Sequence, residues 1–178
     1  MKICVFASSC DVGEGYSKAV YALGKRLGSQ GHSLVFGGYN GGLMADIANG
    51  FHDAGAEIIG VIPGFLEEKT ENYPHLTHIV RTRELSDRKD EMIRLSDAFV
   101  IVPGGIGTLD ELFSILAMKA SDRLSKDILF YNVDGFFDGL LSCLNAMERD
   151  GFLYCKLSDL YQVETVSTLS PTPETDCR

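Results

Sequence analysis

The chain has 178 residues, a formal net charge of −9, and a composition 45% hydrophobic and 23% charged, which suits one ordinary domain whose core needs no metal or disulfide staple. The negative charge argues against a nucleic-acid polymer as partner and leaves room for a small anion only if a dedicated cradle holds it. No apolar run approaches the roughly 20 residues of a membrane span, and five cysteines without a CxxC pair suit neither a disulfide framework nor a zinc cluster.

In chain order, Met1 to Ala7 carries one lysine and a short apolar run, which reads as a first strand rather than a cleavable signal. The expected compartment is therefore the cytoplasm, with the thiols reduced. Short β-branched runs then alternate with amphipathic stretches, the pattern of βαβ units around a parallel sheet buried on both faces. The strands are expected at Lys2 to Ala7, Ser33 to Phe36, Glu57 to Ile62, His78 to Val80, Ala98 to Val102 and Asp127 to Asn132. Helices are expected from Tyr16 to Gln30, Leu43 to Ala54, Ser86 to Leu95, Thr108 to Ala120 and Phe136 to Arg149. The fold class is α/β: a single-domain, doubly wound, Rossmann-like parallel sheet with helices on both faces, spanning residues 1–169. Glu67 to Pro74 reads as an exposed loop and Ser170 to Arg178 as a frayed tail.

The segment Val102-Pro103-Gly104-Gly105-Ile106-Gly107-Thr108-Leu109-Asp110-Glu111 places three glycines between a buried strand and a helix start. Glycines let the backbone approach an oxyanion, and the free amides and dipole of a helix start favour a phosphate. The plainer reading of the same residues is a capping box, with Thr108 as N-cap and Glu111 bonding back to its amide. A Walker A loop is excluded because no lysine precedes Thr108, and Lys18 stands where a dinucleotide fingerprint needs its third glycine. A mononucleotide fits better. A second glycine-rich turn, Gly37-Gly38-Tyr39-Asn40-Gly41-Gly42, would lie at the same sheet edge and bring Gly38 to the cleft, unless it is only a turn that needs positive φ. Arg88 and Lys89, near a helix N-terminus, oppose the helix dipole and point to an anionic partner, or else to a surface network with Asp87, Asp90 and Glu91. His32, His52, His75 and His78 have no ligand spacing, so no metal is expected.

Arg88-Lys89-x-x-Met92 followed by Pro103-Gly104-Gly105-x-Gly107-Thr108-x-x-Glu111 resembles the signature of the Lonely Guy (LOG) family of cytokinin riboside 5'-monophosphate phosphoribohydrolases. Val5 to Ser9, Gly41 to Met44, Gly60 to Pro63 and Asn132 to Phe137 extend the resemblance over nearly the whole chain. It implies hydrolysis of the N-glycosidic bond of an adenosine 5'-monophosphate, plain or N6-substituted, and a homodimer. It also implies catalytic roles for Arg88 and Glu111, with substrate and phosphate held by Lys89, Gly104, Gly105, Ile106, Gly107, Thr108 and Gly38. Older descriptions of the family as lysine decarboxylases imply pyridoxal phosphate, for which these residues give no independent support, so no cofactor is expected. The chain departs from the family at Leu85-Ser86-Asp87, at Ala117-Met118, and at Thr70, where a substrate-contacting glutamate is usual. These departures bear on base selectivity more than on phosphate or ribose. A non-catalytic carrier of a nucleotide-like ligand is the alternative that the same cradle allows. The expected helix Thr108 to Ala120 is apolar on more than one face, which agrees with burial by a second subunit.

Overall fold

The computed structural model describes residues 1–67 and 71–168. Seven strands form one sheet in the order β4-β3-β2-β1-β5-β6-β7, every neighbouring pair parallel. They are β1 (Lys2–Phe6), β2 (Ser33–Phe36), β3 (Ile58–Pro63), β4 (His78–Thr82), β5 (Ala98–Ile101), β6 (Asp127–Val133) and β7 (Gln162–Val166). Between them run α1 (Glu14–Ser29), α2 (Gly42–Asp53), α3 (Gly64–Glu67), α4 (Leu85–Leu95), α5 (Ile106–Ala120), α6 (Asp138–Arg149) and α7 (Leu157–Leu160).

The period of two along each strand divides the core into two layers. Cys4 and Phe6 of β1, Phe99 and Ile101 of β5, and Phe130 of β6 face one layer, which α4, α5, α6 and α7 close through Met92, Ile93, Leu112, Ile115, Leu144 and Leu157. Ile3 and Val5, Leu34 and Phe36, and Val100 face the other, closed by α1 and α2 through Val20, Leu23, Leu43, Ile47 and Phe51. The doubly wound expectation therefore holds.

Three expectations need correction. Helix α5 begins at Ile106 with Gly105 in the N-cap position, so Thr108 is not the cap, and Glu111, more than a turn inside, has no capping role. The expected exposed loop from Glu67 to Pro74 is not uniformly exposed: Tyr73 is 2% exposed and packs in the α1/α2 layer, because its own amide donates to the Gly38 carbonyl and its hydroxyl donates to Asn49 Oδ1, both at 2.8 Å. Residues 68–70 lie outside the described residues. Strand β7 had no place in the expected elements, because Gln162-Val163-Glu164-Thr165-Val166 is an edge strand whose side chains are half-exposed or exposed and whose apolar content is low. The expected tail lies outside the described residues.

Helices α1 and α2 cross so closely that a Cβ on Gly50 would fall on the Tyr21 carbonyl and within 2.6 Å of the Lys25 amide. Backbone cannot yield as a side chain can. Gly50→Ala is expected to destabilise the fold by roughly 1–3 kcal/mol, in the range of overpacking. Gly13→Ala, where a Cβ meets nothing within 4 Å, should change stability little; urea denaturation of both variants measures the contrast.

Candidate active site

The chain winds from β1 outward through β2, β3 and β4, then returns to place β5 against the other side of β1. At such a reversal the connections leave the strands' carboxyl ends in opposite directions and open a crevice. Two adjoining hollows occupy that crevice, of about 440 and 320 Å³, sharing Ser9, Cys10, Met44 and Arg88.

The smaller hollow is built from the ends of β1 and β5. Ala7 to Cys10 form one side; Gly105, Ile106, Gly107, Thr108 and Glu111 form the other. Since α5 has no side-chain cap, its first amides have no partner within the helix and stand at the positive end of its dipole. Gly104 is not part of the wall. A Cβ there would collide with the Thr108 side chain, whose Cγ2 would lie 2.8 Å away, so this glycine permits the tight turn that brings Thr108 under the loop. Thr108 is 4% exposed and Glu111 8%, and neither side chain has a hydrogen-bond partner among the described residues. Their polar atoms are not sealed in, unlike His32 Nδ1 and Thr82 Oγ1; they open onto the hollow, where water or a ligand can complete them.

Burial pushes the Glu111 carboxyl up to about 7; Arg88 opposes the shift, Asp110 adds to it, and Lys89 opposes it. The Cys4 thiol beneath is likewise held well above its ordinary value, first by burial and then by the Glu111 charge. The acid thus stands on an apolar floor, near the protonation midpoint at neutral pH.

Arg88, in the second turn of α4, donates from Nε to the Val61 carbonyl at 3.1 Å and lines both hollows. Its guanidinium occupies the space that a Cβ on Gly37 would need. Lys89 goes elsewhere: its Nζ lies 2.8 Å from Asp110 Oδ2 and 3.2 Å from Ser114 Oγ, tying α4 to α5. The structure therefore brings Arg88, Gly105, Ile106, Gly107, Thr108 and Glu111 together and leaves Lys89 as a brace behind them. Gly38 is also off the wall. At φ +76 it turns the chain, with Ile62 Cγ1 2.6 Å from where a Cβ would stand, and Gly37 next to it lines the larger hollow.

The larger hollow is more apolar, with Tyr39, Met44, Ile62 and Pro63 around it and Asn72 on its wall. Sequence reasoning did not single out Cys10, Met44 as a wall residue, Tyr39 or Asn72. Their common signal is position just past a strand end or in the strap that follows β3, and it becomes usable only when the strand order is known.

The model of the family described as "Possible lysine decarboxylase" matches residues 44–169. A "Probable cytokinin riboside 5'-monophosphate phosphoribohydrolase LOGL9" from Oryza sativa subsp. japonica is 37% identical over 153 residues, 85% of this chain and 67% of that protein. The cytokinin riboside 5'-monophosphate phosphoribohydrolase LOG5 of Arabidopsis thaliana is 35% identical over the same shares. The chain belongs to the LOG family. The match spans about two thirds of the length of these curated relatives. Among solved structures, the molybdenum cofactor carrier protein of Chlamydomonas reinhardtii superposes with a TM-score of 0.66 at 25% identity, covering 91% of this chain and 88% of that one. The molybdenum cofactor binding protein of Rippkaea orientalis gives 0.65 at 22% identity, covering 91% and 87%. These structures share the fold of this LOG chain.

Lysine decarboxylation ordinarily runs through pyridoxal phosphate, which a lysine holds as an imine. Neither hollow of this LOG chain has a lysine among its described wall residues, and Lys89 is engaged with Asp110 and Ser114. The residues do not fit that group.

A carboxyl raised in the folded chain binds its proton more tightly there than in the unfolded chain. Its favourable contribution is present below the unfolded value near 4.5 and is lost as pH rises through about 7. The full loss is on the order of 3 kcal/mol. Glu111→Gln should therefore gain stability relative to wild type as pH rises from 4.5 to 8. Denaturant unfolding of both proteins across that range measures it, and parallel curves would contradict the assignment.

Proposed function

We propose that this protein hydrolyses the N-glycosidic bond of a nucleoside 5'-monophosphate, releasing free base and ribose 5-phosphate. The observation that carries the reading is the pairing, in one hollow, of an uncapped glycine-rich helix start with a largely buried carboxyl that has no hydrogen-bond partner among the described residues. The amides of Ile106 to Thr108 suit a 5'-phosphate. The ribose then lies at the junction of the hollows, beside Ser9, Cys10, Met44 and Arg88, with the base in the larger, apolar one. As the bond between the anomeric carbon and the base nitrogen breaks, positive charge develops on the sugar, as in other glycosyl transfers. Glu111 stands one turn beyond the phosphate amides, where its ionised form stabilises that charge and takes a proton from the water that bonds to the anomeric carbon. The base leaves with the electron pair of the broken bond and takes up one proton, so that one water is consumed overall. Arg88 offsets the negative charge of phosphate and carboxylate together. The named activity of the relatives, on cytokinin riboside 5'-monophosphates, is the natural candidate within this class.

A second reading, a carrier of a nucleotide-like ligand, draws support from the solved relatives described as molybdenum cofactor carriers. A buried, raised carboxyl beside the phosphate amides favours the hydrolase, because an anion carrier gains nothing from it.

We also propose that the protein pairs with a second copy through α5. Ile106 and Phe113, 84% and 41% exposed, line up with exposed Ala117 at helical spacing, a stripe that water covers poorly. Light scattering should give twice the 19.5 kDa of one chain; a monomer at micromolar concentration would contradict the pairing.

Purified protein incubated with AMP and N6-substituted analogues should release free base, read by chromatography. Glu111→Gln should lower turnover by roughly 10²- to 10⁴-fold while nucleotide affinity holds or rises. Arg88→Ala should weaken affinity and turnover together. Binding without base release by the wild type from any nucleotide would replace the hydrolase with the carrier.

A further inference from the structure

Ser9, Tyr39 and Asn72 on the larger hollow have side chains without a hydrogen-bond partner among the described residues; Asn72 is the one that carries an amide, and its place is held firmly. Asn72 follows β3 on a strap pinned to the Gly37–Gly42 turn. The Asn40 amide donates to the Glu71 carbonyl at 2.9 Å and the Tyr73 amide to the Gly38 carbonyl at 2.8 Å, with Tyr39 and Asn72 paired in an antiparallel bridge between them. The Asn40 side chain donates to Glu71 Oε1 at 3.0 Å, and the buried Tyr73 ring anchors the other flank. Main-chain bonds thus fix Asn72 on both sides, and its half-buried side chain is part of the hollow's wall. Among the described residues its amide group has no hydrogen-bond partner.

Away from the smaller hollow Tyr39, Ile62 and Pro63 offer ring and aliphatic surface, and Met44 on the shared boundary adds its thioether, surfaces suited to the faces of a planar base. Arg88 can only donate. The Asn72 amide offers a donor and an acceptor in one plane, a pattern that matches the N6–H and N7 positions of a 6-aminopurine. A 6-oxopurine presents two acceptors along that edge and leaves the amide oxygen facing one of them.

Resting on the hydrolase reading, we propose that Asn72 is the base-specificity residue of this site, pairing with the N6–H/N7 edge of an adenine ring and discriminating against 6-oxopurine nucleotides. A single substituent on N6 still leaves one N–H for this contact, so the same residue accepts N6-substituted adenines.

The test is titration calorimetry of the full chain with AMP, 7-deaza-AMP, which lacks the N7 acceptor, and IMP. Every protein carries Glu111→Gln, so that nucleotide is held without turnover, and wild type here means Asn72 retained. Wild type should bind AMP about tenfold or more tightly than either analogue, the range of a bidentate base contact. Asn72→Leu should bring all three to within about twofold, and Asn72→Asp, which keeps the size but removes the donor, should weaken AMP toward the level of 7-deaza-AMP. Equal affinities in the wild type, or a preference that survives in Asn72→Leu, would overturn the role of Asn72 while leaving nucleotide hydrolysis intact. Failure of the wild type to bind any of the three would overturn both.

Discussion

A parallel sheet brings the carboxyl ends of all its strands to one edge, and the return of the chain from β4 to pair β5 with β1 opens that edge at a single place. Every part of the candidate site depends on this pairing. The register of Phe6 opposite Ile101 sets Ala7 to Cys10 beside the glycine loop, although 90 residues and more separate them in sequence. The bond from the Ser8 amide to the Pro103 carbonyl at 3.4 Å and that from the Met44 amide to the Ser8 carbonyl at 3.1 Å carry the alignment on, from β5 through β1 to the start of α2.

Within that frame the difficult element is the Glu111 carboxyl. Burial raises its proton affinity, and among the described residues the guanidinium of Arg88 and, more weakly, the ammonium of Lys89 counter this. The geometry keeps Arg88 near it without spending the guanidinium on a direct ion pair among the described residues: Nε is held by the Val61 carbonyl, and Gly37 leaves space for the terminal nitrogens. Lys89, adjacent in sequence, points to α5 and fixes the distance between the two helices. One dipeptide thus supplies both a cleft cation and its support, a division that follows from the 100° step between consecutive helical residues.

Strands β1, β2, β3, β5 and β6 were legible because each is a run of β-branched or aromatic residues buried on both faces. The glycine loop was legible because its residue types have few other uses at that spacing. What escaped was whatever depends on partners distant in sequence. Strand β7 is only weakly apolar and takes its place by pairing with β6. Tyr73 sits in a polar stretch, and its burial follows from bonds to Gly38 and Asn49. The local sequence displays the dipole-opposing position of Lys89, which suits an anion or a surface network with Asp87, Asp90 and Glu91, but not Asp110 across the helix interface, with which it pairs. The start of α5 was placed two residues late, since Thr108 and Glu111 have capping-box spacing while the glycines before them allow the helix to begin sooner.

The fold is shared by proteins described as hydrolases and by proteins described as carriers, so the sheet and the glycine loop cannot separate the two activities. The separating feature has to be one that a carrier would lose without penalty. A carboxyl held at about 7 in an apolar setting is destabilising at neutral pH and would repel a phosphate placed one turn away. Replacing it by a neutral residue would improve both stability and anion affinity. The proposed hydrolysis would account for a group that opposes both and still lines the cleft, because the carboxylate helps most when positive charge appears on the sugar and repulsion turns into attraction.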